Sequence, residues 1–396
     1  MTVAEGVLVE LALLFAGAKA AGVLAARLGQ PPVIGELLAG IVIGPSLLGW
    51  VELSESLHVF QELGAVILLF AVGLDTPLSD LTRVGGKASA VGAAGIVIPF
   101  AAGGSLMLAL GHDLSVAAFI GTAMVATSVG VTARVLADLD KVKTPEGRII
   151  LGAAVVDDIL GLLVLAVVLG ATTGGLSVGA ILALAALALA FVGLVGGAGP
   201  RLVARATPLL DRLHERGVFA VAMALCLGLA AVAGSLQLAA IIGAFLAGMA
   251  FAETRDRYHL EEQLSPVYAL LVPFFFAITG AAVELSVFAT SSTAWLAVGL
   301  TVVAIAGKLI GCSLPVLGLG RRSAAIIGVG MVPRGEVGIL VATLGLAGGV
   351  IGPDLFAVVV AMSIITTVIV PPVLSSLFGA RPHRAAGPRG REIEGI

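Results

Sequence analysis

Two adjacent aspartates stand in the middle of an otherwise apolar segment, GAAVVDDILGLLVLAVVLG, residues 152–170. The segment is long enough to cross a bilayer as a helix, which puts Asp157 and Asp158 roughly 15 Å from the nearest membrane surface. An unpaired ion at that depth costs several kcal/mol. The chain must therefore supply a cationic partner, a water-filled cavity or a proton. We expect the two carboxylates to bind cations or protons, since a pair that only joins helices is the less common case.

Lys308 is the best candidate for the cationic partner. It lies at the centre of another apolar run, VVAIAGKLIGCSL, where a lysine needs an anion or loses its proton. Neighbouring residues on a helix point about 100° apart, so one aspartate can pair with Lys308 while the other binds a small cation. A salt bridge that only joins two helices has the same geometry and stays open as an alternative.

Two further segments place polar residues where a helix should break. GTAMVATSVGVTARV carries Thr127 and Ser128 between glycines, and GVGMVPRGEVGIL carries Arg334 and Glu336 beside a proline and a glycine. Proline removes a backbone donor and glycine weakens a helix, and broken helices expose partial charges at their ends. We expect Thr127 and Ser128 to offer oxygens to a cation, and Arg334 and Glu336 to compensate the helix-end charges. An ordinary proline kink with a local Arg–Glu pair is the alternative.

Other charged residues near or inside apolar runs give weaker indications. Asp75, Glu253 and Glu284 lie at the ends of such runs, where solvated carboxylates are expected. Glu36 lies about one turn inside its run, which leaves a structural and a functional role equally open. Lys19 is too deep to reach the membrane surface easily, and the sequence indicates no partner for it.

The composition of the whole chain is that of a polytopic membrane protein. Its 396 residues are 59% hydrophobic and 12% charged, with a mean hydropathy of +1.13, whereas soluble domains are about 25% charged. No basic cluster suggests nucleic acid, no motif suggests a cofactor, and the cysteines and histidines lack metal-binding spacing. The first apolar run follows no basic region, so we expect a retained span rather than a signal peptide.

Apolar runs of about 20 residues predict thirteen transmembrane helices. The predicted spans are 6–28, 33–50, 58–76, 84–110, 114–137, 147–170, 175–203, 216–235, 237–253, 264–285, 292–319, 323–348 and 353–378. Of the 22 basic residues, all but Lys19, Lys308 and Arg334 fall on one side of this layout, and the opposite loops hold none. The positive-inside rule then puts the N-terminus outside and the C-terminus in the cytoplasm. We expect the protein to lie in the plasma (inner) membrane.

A repeat is visible at an offset of 206 to 208 residues. IGELLAG (34–40) resembles IGAFLAG (242–248), LLFAVG (68–73) resembles FFFAIT (274–279), and GTAMV (121–125) resembles GVGMV (328–332). The fold class predicted is therefore all-α, with two inverted six-helix repeats joined by a linker helix, as in alternating-access transporters. We divide the chain into a first repeat (1–170), a linker helix and loop (171–215), a second repeat (216–378) and a basic tail (379–396).

VVDDILGLLVLA, ATSVGVTARVL, GKLIG and MVPRGEVG, in this order, resemble the sodium/proton antiporters of the cation:proton antiporter-2 family, and specifically the NapA type. The resemblance covers the whole chain. It implies a homodimer with a core and a dimerisation domain, two crossed broken helices, Asp158 as the main cation ligand, and Asp157 as the partner that releases Lys308 during the cycle. The Asp–Asp pair resembles the pattern of the electrogenic branch. Because only a short segment follows the last span, we do not expect nucleotide gating of the Kef type.

The function predicted is exchange of Na⁺ or Li⁺ for H⁺ by a carboxylate that holds one or the other. The transported ions are the only small ligands expected, and no enzyme activity is expected. A K⁺/H⁺ antiporter or a cation channel is the alternative within transport. An intramembrane aspartyl protease is a remote alternative, because it needs two carboxylates that converge on one water, whereas adjacent residues on a helix diverge.

Overall fold

The computed structural model describes residues 3–173, 178–236, 238–283, 291–334 and 336–379. The described residues form fifteen α-helices and one 3₁₀ helix, Leu314–Leu319. The α-helices are α1 Val3–Arg27, α2 Pro32–Ile43, α3 Glu55–Leu74, α4 Leu78–Ala109, α5 Leu114–Ala123, α6 Val129–Asp138, α7 Pro145–Thr173, α8 Val178–Leu210, α9 Glu215–Ser235, α10 Ala240–Phe251, α11 Leu260–Ala281, α12 Ser291–Ser313, α13 Arg321–Gly330, α14 Glu336–Ala347 and α15 Pro353–Phe378. Glu284 and the predicted tail beyond residue 379 lie outside the described residues.

Local sequence signals explain where several helices begin and end. Ser54 caps α3 by accepting a hydrogen bond from the Leu57 amide, and prolines open α2 and α15, where a missing N–H does no harm. The predicted span 33–50 runs too far, because α2 stops at Ile43, just before a Gly–Pro pair. The predicted span 292–319 ends in the 3₁₀ turn that follows α12.

The lengths of the helices agree with a chain that spans a membrane many times. Among the described residues, nine helices are long and apolar enough to cross a bilayer, and four shorter apolar helices accompany them. The two short, glycine-rich spans predicted at 33–50 and 237–253 are the short helices α2 and α10. The predicted spans 114–137 and 323–348 are each broken into two helices. The count of thirteen crossings stays a prediction.

Helix packing separates two bundles. In what we call the core bundle, α4 packs against α5, α7 and α12, and α12 packs against α13 and α15. In what we call the scaffold bundle, α3 packs against α10 and α11, α2 against α1 and α11, and α10 against α8 and α9. Fewer contacts join the bundles, chiefly those of α8 with α7, of α6 with α2 and α3, and of α15 with α2. The described residues therefore pack as two bundles, and one cluster of buried hydrophobic residues extends across both.

The scaffold helices touch at glycines that recur at the offset of the sequence repeat. A Cβ on Gly40 would collide with the carbonyl oxygen of Ala277, and a Cβ on Gly248 would collide with that of Phe70. These two contacts are related by offsets of 208 and 207 residues. Two further pairs of contacts show the same relation. In one pair, Gly35 contacts Ala21 and Gly243 contacts Leu229. In the other pair, Gly73 contacts Phe245 and Gly280 contacts Leu37. Each half of the chain thus crosses the other backbone to backbone, which supports the proposed repeat; its boundaries stay a prediction.

Gly248→Ala is expected to destabilise the protein, because the added methyl meets the backbone of α3 and cannot be accommodated without separating α3 from α10. Overpacking of this kind costs about 1–3 kcal/mol. Thermal unfolding of purified protein in detergent measures the loss. Gly228→Ala is the matched control, since Gly228 lies mid-helix in α9 with open space around it. Equal melting temperatures for the two variants would contradict the close α3–α10 crossing.

Candidate functional site

The centre of the core bundle holds a buried ion pair. The Lys308 ammonium on α12 donates to Asp157 Oδ1 on α7 at 2.7 Å, and both side chains are fully buried. The second oxygen, Asp157 Oδ2, has no hydrogen-bond partner among the described residues. Desolvation makes a single buried charge costly, so the two opposite charges stabilise each other.

Asp158 is placed differently from its neighbour, as the helical rotation requires. It is partly exposed and lines a cavity, together with Asp157. The same helix therefore directs one carboxylate into a buried pair and the next toward space that water can fill. Of the two aspartates, Asp158 is the one a hydrated ion can approach.

The cavity has a volume of about 570 Å³ and reaches from these carboxylates to the N-terminal end of α3. His58 and Glu62 stand at that end and are exposed. Most of the lining is apolar. We refer to the α3 end of this cavity as its mouth. On the other side of Asp158, a space of only about 10 Å³ lies among apolar side chains such as Leu69 and Val155, which is room for about one water molecule.

The floor of the cavity lies at two helix breaks that contact each other. The first break separates α5 from α6, and the second separates α13 from α14. The Ser128 amide donates to the Pro333 carbonyl at 2.7 Å, and the Thr127 hydroxyl donates to the Met331 carbonyl at 3.3 Å. Backbone groups in a membrane interior must find partners within the protein, and here each break satisfies groups of the other.

Arg334 lies in the second break and is fully buried. Its Nη1 donates to the Ala126 carbonyl at 3.0 Å, and its backbone is held by Thr366 and Thr367 of α15. Its Nε and Nη2 have no partner among the described residues, and the side chain lines the cavity near Asp157. Arg334 thus adds a second buried positive charge close to the two carboxylates.

The remaining predicted site residues occupy other places. Thr127 and Ser128 are buried in the first break, and Ala126 rather than either of them lines the cavity. Glu336 begins α14, but its side chain lies outside the described residues. The sequence analysis missed the polar residues of α15: Ser363 and Thr367 line the cavity. Their signal was available as a run of hydroxyls, MSIITT, inside an apolar span.

Two comparisons with known proteins agree on a family, and a third agrees on the fold. A family model for transmembrane sodium/hydrogen exchangers matches residues 11–378. The chain is 38% identical to the Na⁺/H⁺-K⁺ antiporter GerN of Bacillus cereus, over 94% of this chain and 96% of that one. It is 37% identical to the high-affinity Na⁺/H⁺ antiporter NhaS3 of Synechocystis, over 97% and 92%. Its fold resembles the sodium proton antiporter MjNhaP1 of Methanocaldococcus jannaschii, with a TM-score of 0.66, 16% identity and coverage of 96% and 98%.

A double-mutant cycle tests the energetics of the buried pair. Lys308→Met or Asp157→Leu alone is expected to cost about 3–5 kcal/mol, because either leaves an uncompensated buried charge. The double variant should recover most of that loss, since no charge remains to be desolvated. Chemical unfolding in detergent measures all four proteins. Asp211→Asn, which removes a partner of the exposed Arg257, is the control and should cost less than about 1 kcal/mol. Additive losses would contradict the pairing.

Proposed function

The chain belongs to the transmembrane sodium/hydrogen exchanger family, and on that premise we propose how its residues exchange a monovalent cation for protons. The observation that carries the proposal is the unequal placement of two adjacent aspartates that both line the cavity: Asp157 is fully buried and paired with Lys308, whereas Asp158 is partly exposed. Asp158 is the main ligand for Na⁺, and its negative charge accepts either the cation or a proton. Occupation by one excludes the other, which couples the two ion flows.

Asp157 and Lys308 take part through their charges in this proposal. When a cation enters, Asp157 can turn from Lys308 toward the ion, since its Oδ2 already lacks a hydrogen-bond partner in the described structure. Lys308 then stands alone in a dry place and tends to release its proton. This is the role that the family resemblance implies for the pair, and it predicts an exchange that moves net charge.

The helix breaks supply the remaining polar surroundings of the ion. Arg334 lies beside the Ala126 carbonyl, just past the C-terminal end of α5, where a positive charge offsets the negative end of a helix dipole. We assign it dipole compensation, together with Glu336 at the start of α14. Thr127 and Ser128 stay candidate oxygen donors, which require a small rotation of the first break to reach the cavity.

Exchange rather than channel conduction is favoured by what lies behind Asp158. Apolar residues fill the path on the side away from the mouth, and the small space there has room for about one water molecule. A conducting channel needs a continuous wet path, whereas an exchanger opens to one side at a time. We therefore propose that the core and scaffold bundles move against each other at their slight boundary to expose Asp158 alternately.

The orientation and assembly are proposed from the sequence. The mouth lies at the α3 end whose preceding loop, residues 44–54, has no lysine or arginine, so by the positive-inside rule it faces outward. The conformation described is then the outward-facing one, in the plasma (inner) membrane. A homodimer is proposed from the family resemblance. The repeat divisions at residues 170, 215 and 378 are proposed on the same basis.

Replacing Asp158 tests the central assignment. Asp158→Asn is expected to reduce Na⁺-driven proton movement in proteoliposomes to the level of protein-free vesicles, because an amide neither binds a proton nor neutralises a cation. A fluorescent pH indicator inside the vesicles measures the flux. Asp113→Asn is the control, since Asp113 is exposed at the end of α5 and makes no side-chain capping bond. Wild-type flux in Asp158→Asn would reject the role of Asp158.

The ion preference and charge balance need a separate measurement. We expect Na⁺ and Li⁺ to dissipate a pH gradient and K⁺ to do so less, with a current that accompanies exchange. The name of the relative GerN includes K⁺, so potassium exchange is the second candidate. Adding each cation in turn to proteoliposomes on a supported membrane records flux and current together. Flux without current would contradict electrogenic exchange, and current without proton flux would indicate a channel.

A further inference from the structure

A second group of buried charges lies on the side of the protein opposite the mouth. Glu36 of α2 is 2% exposed and Arg134 of α6 is 8% exposed. Arg134 Nη2 lies 3.6 Å from Glu36 Oε1, and its Nε donates to Asp138 Oδ1 at 2.8 Å. The sequence analysis had counted Arg134 among the basic residues of a loop. Instead it is a buried ion, and its location at the bundle boundary requires an explanation.

The group joins the core bundle to the scaffold bundle. Arg134 and Asp138 belong to α6, whereas Glu36 belongs to α2. The Arg134 guanidinium also lies over two aromatic rings of α11, 5.3 Å from the centroid of Tyr268 and 5.8 Å from that of Phe276. Stacking of this kind stabilises a cation where water is scarce. Lys19 of α1, for which the sequence offered no partner, interacts electrostatically with Glu36.

The pairing is incomplete, unlike that of a permanent structural tie. Glu36 Oε2 and Asp138 Oδ2 are buried and have no hydrogen-bond partner among the described residues. A carboxylate oxygen in that position is destabilised until water or a donor reaches it. Hydration of the α2–α6 boundary would therefore compensate for much of the lost attraction between Glu36 and Arg134. The group can therefore take two arrangements: its charges are paired where water is excluded, and they separate where water enters the boundary.

The repeat relates this closed boundary to the open one. An offset of 207 or 208 residues carries α2 onto α10 and α6 onto α14, and those two helices form walls of the cavity through Ile241, Leu340 and Thr343. Glu36 and Arg134 correspond to Ala244 and Val341. One boundary is thus closed with ions, whereas the two helices that line the open cavity carry buried aliphatic residues at the same positions.

We propose that Glu36, Arg134 and Asp138 form an ionic latch that holds the mouth-open conformation and separates when the opposite side opens. The inference rests on the alternating movement proposed above and adds the residues that bias it. After separation, Glu36 and Asp138 line the second entrance together with Arg134. The aliphatic counterpart closes the mouth in the other conformation without an equivalent ion pair.

The latch predicts a change in access to the cavity when its charge is removed. In nanodiscs, a cysteine introduced as Thr343→Cys reports the open mouth, because Thr343 is exposed and lines the cavity on α14. The two native cysteines are fully buried. Glu36→Gln is expected to slow labelling of this cysteine by a charged thiol reagent about fivefold or more, the low end of typical conformational couplings.

Asp211→Asn is the matched control for this measurement. It breaks an ion pair between the loop that follows α8 and the loop that precedes α11, and that pair does not join α6 to the scaffold. The control should leave labelling within about twofold, which is less than any typical coupling. Labelling of the Glu36→Gln protein at the rate of the parent Thr343→Cys protein would overturn the latch.

A tether provides a second test that does not depend on the stability of Glu36→Gln. The double change Glu36→Cys and Arg134→Cys removes the latch, and a short, reducible bifunctional thiol reagent restores the connection. Tethering should stop Na⁺-driven proton exchange, and reduction should restore it. Full exchange in the tethered protein would overturn the latch, because α2 and α6 would then not need to separate. Absence of exchange in the parent protein, before the two cysteines are introduced, would instead reject the proposed function.

Discussion

The structure depends on one constraint: a charge in the middle of a membrane protein must be paired, hydrated or neutralised. The pair between Asp157 and Lys308 meets this constraint for two residues at once and joins α7 to α12 at the centre of the core bundle. The neighbouring Asp158 points in another direction and lines the cavity. Adjacent residues on a helix point about 100° apart, so the two carboxylates face different surroundings.

The backbone obeys the same constraint as the side chains. A broken helix in lipid leaves amide and carbonyl groups without partners, and two breaks that face each other supply these partners mutually. Hydrogen bonds of Ser128 and Thr127 to the opposite break do this here. The glycine crossings of the scaffold have the complementary effect, since backbone-to-backbone contact leaves α3, α10 and α11 little freedom to slide. Each bundle is therefore stiff within itself, and relative motion is concentrated at the boundary between them.

The sequence predicts much of this site because its signals are local. An aspartate pair in an apolar run, a lysine at the centre of another run and a Pro–Gly interruption are visible without tertiary structure. Which aspartate meets Lys308 depends on how α7 is rotated against α12, and only packing decides that. Arg134 shows the limit most clearly: near the end of a predicted span it has the pattern of a flanking charge, yet α2 and α11 bury it. Glu36 was ambiguous for a similar reason, since its partner Arg134 lies about 100 residues away in the chain.

The two halves share a backbone plan but differ in the side chains at the corresponding boundaries, and this difference has a physical consequence. A repeat with identical boundaries would give inward- and outward-open conformations of equal energy. Ions at one boundary and aliphatic residues at the other make closure respond to different conditions, because water weakens an ion pair and strengthens apolar contact. The proposed exchange needs two conformations that lie within a few kcal/mol of each other, so that a bound ion can shift the balance between them. A latch with two unsatisfied carboxylate oxygens is weak enough for that purpose, whereas a fully satisfied buried pair would hold one conformation permanently.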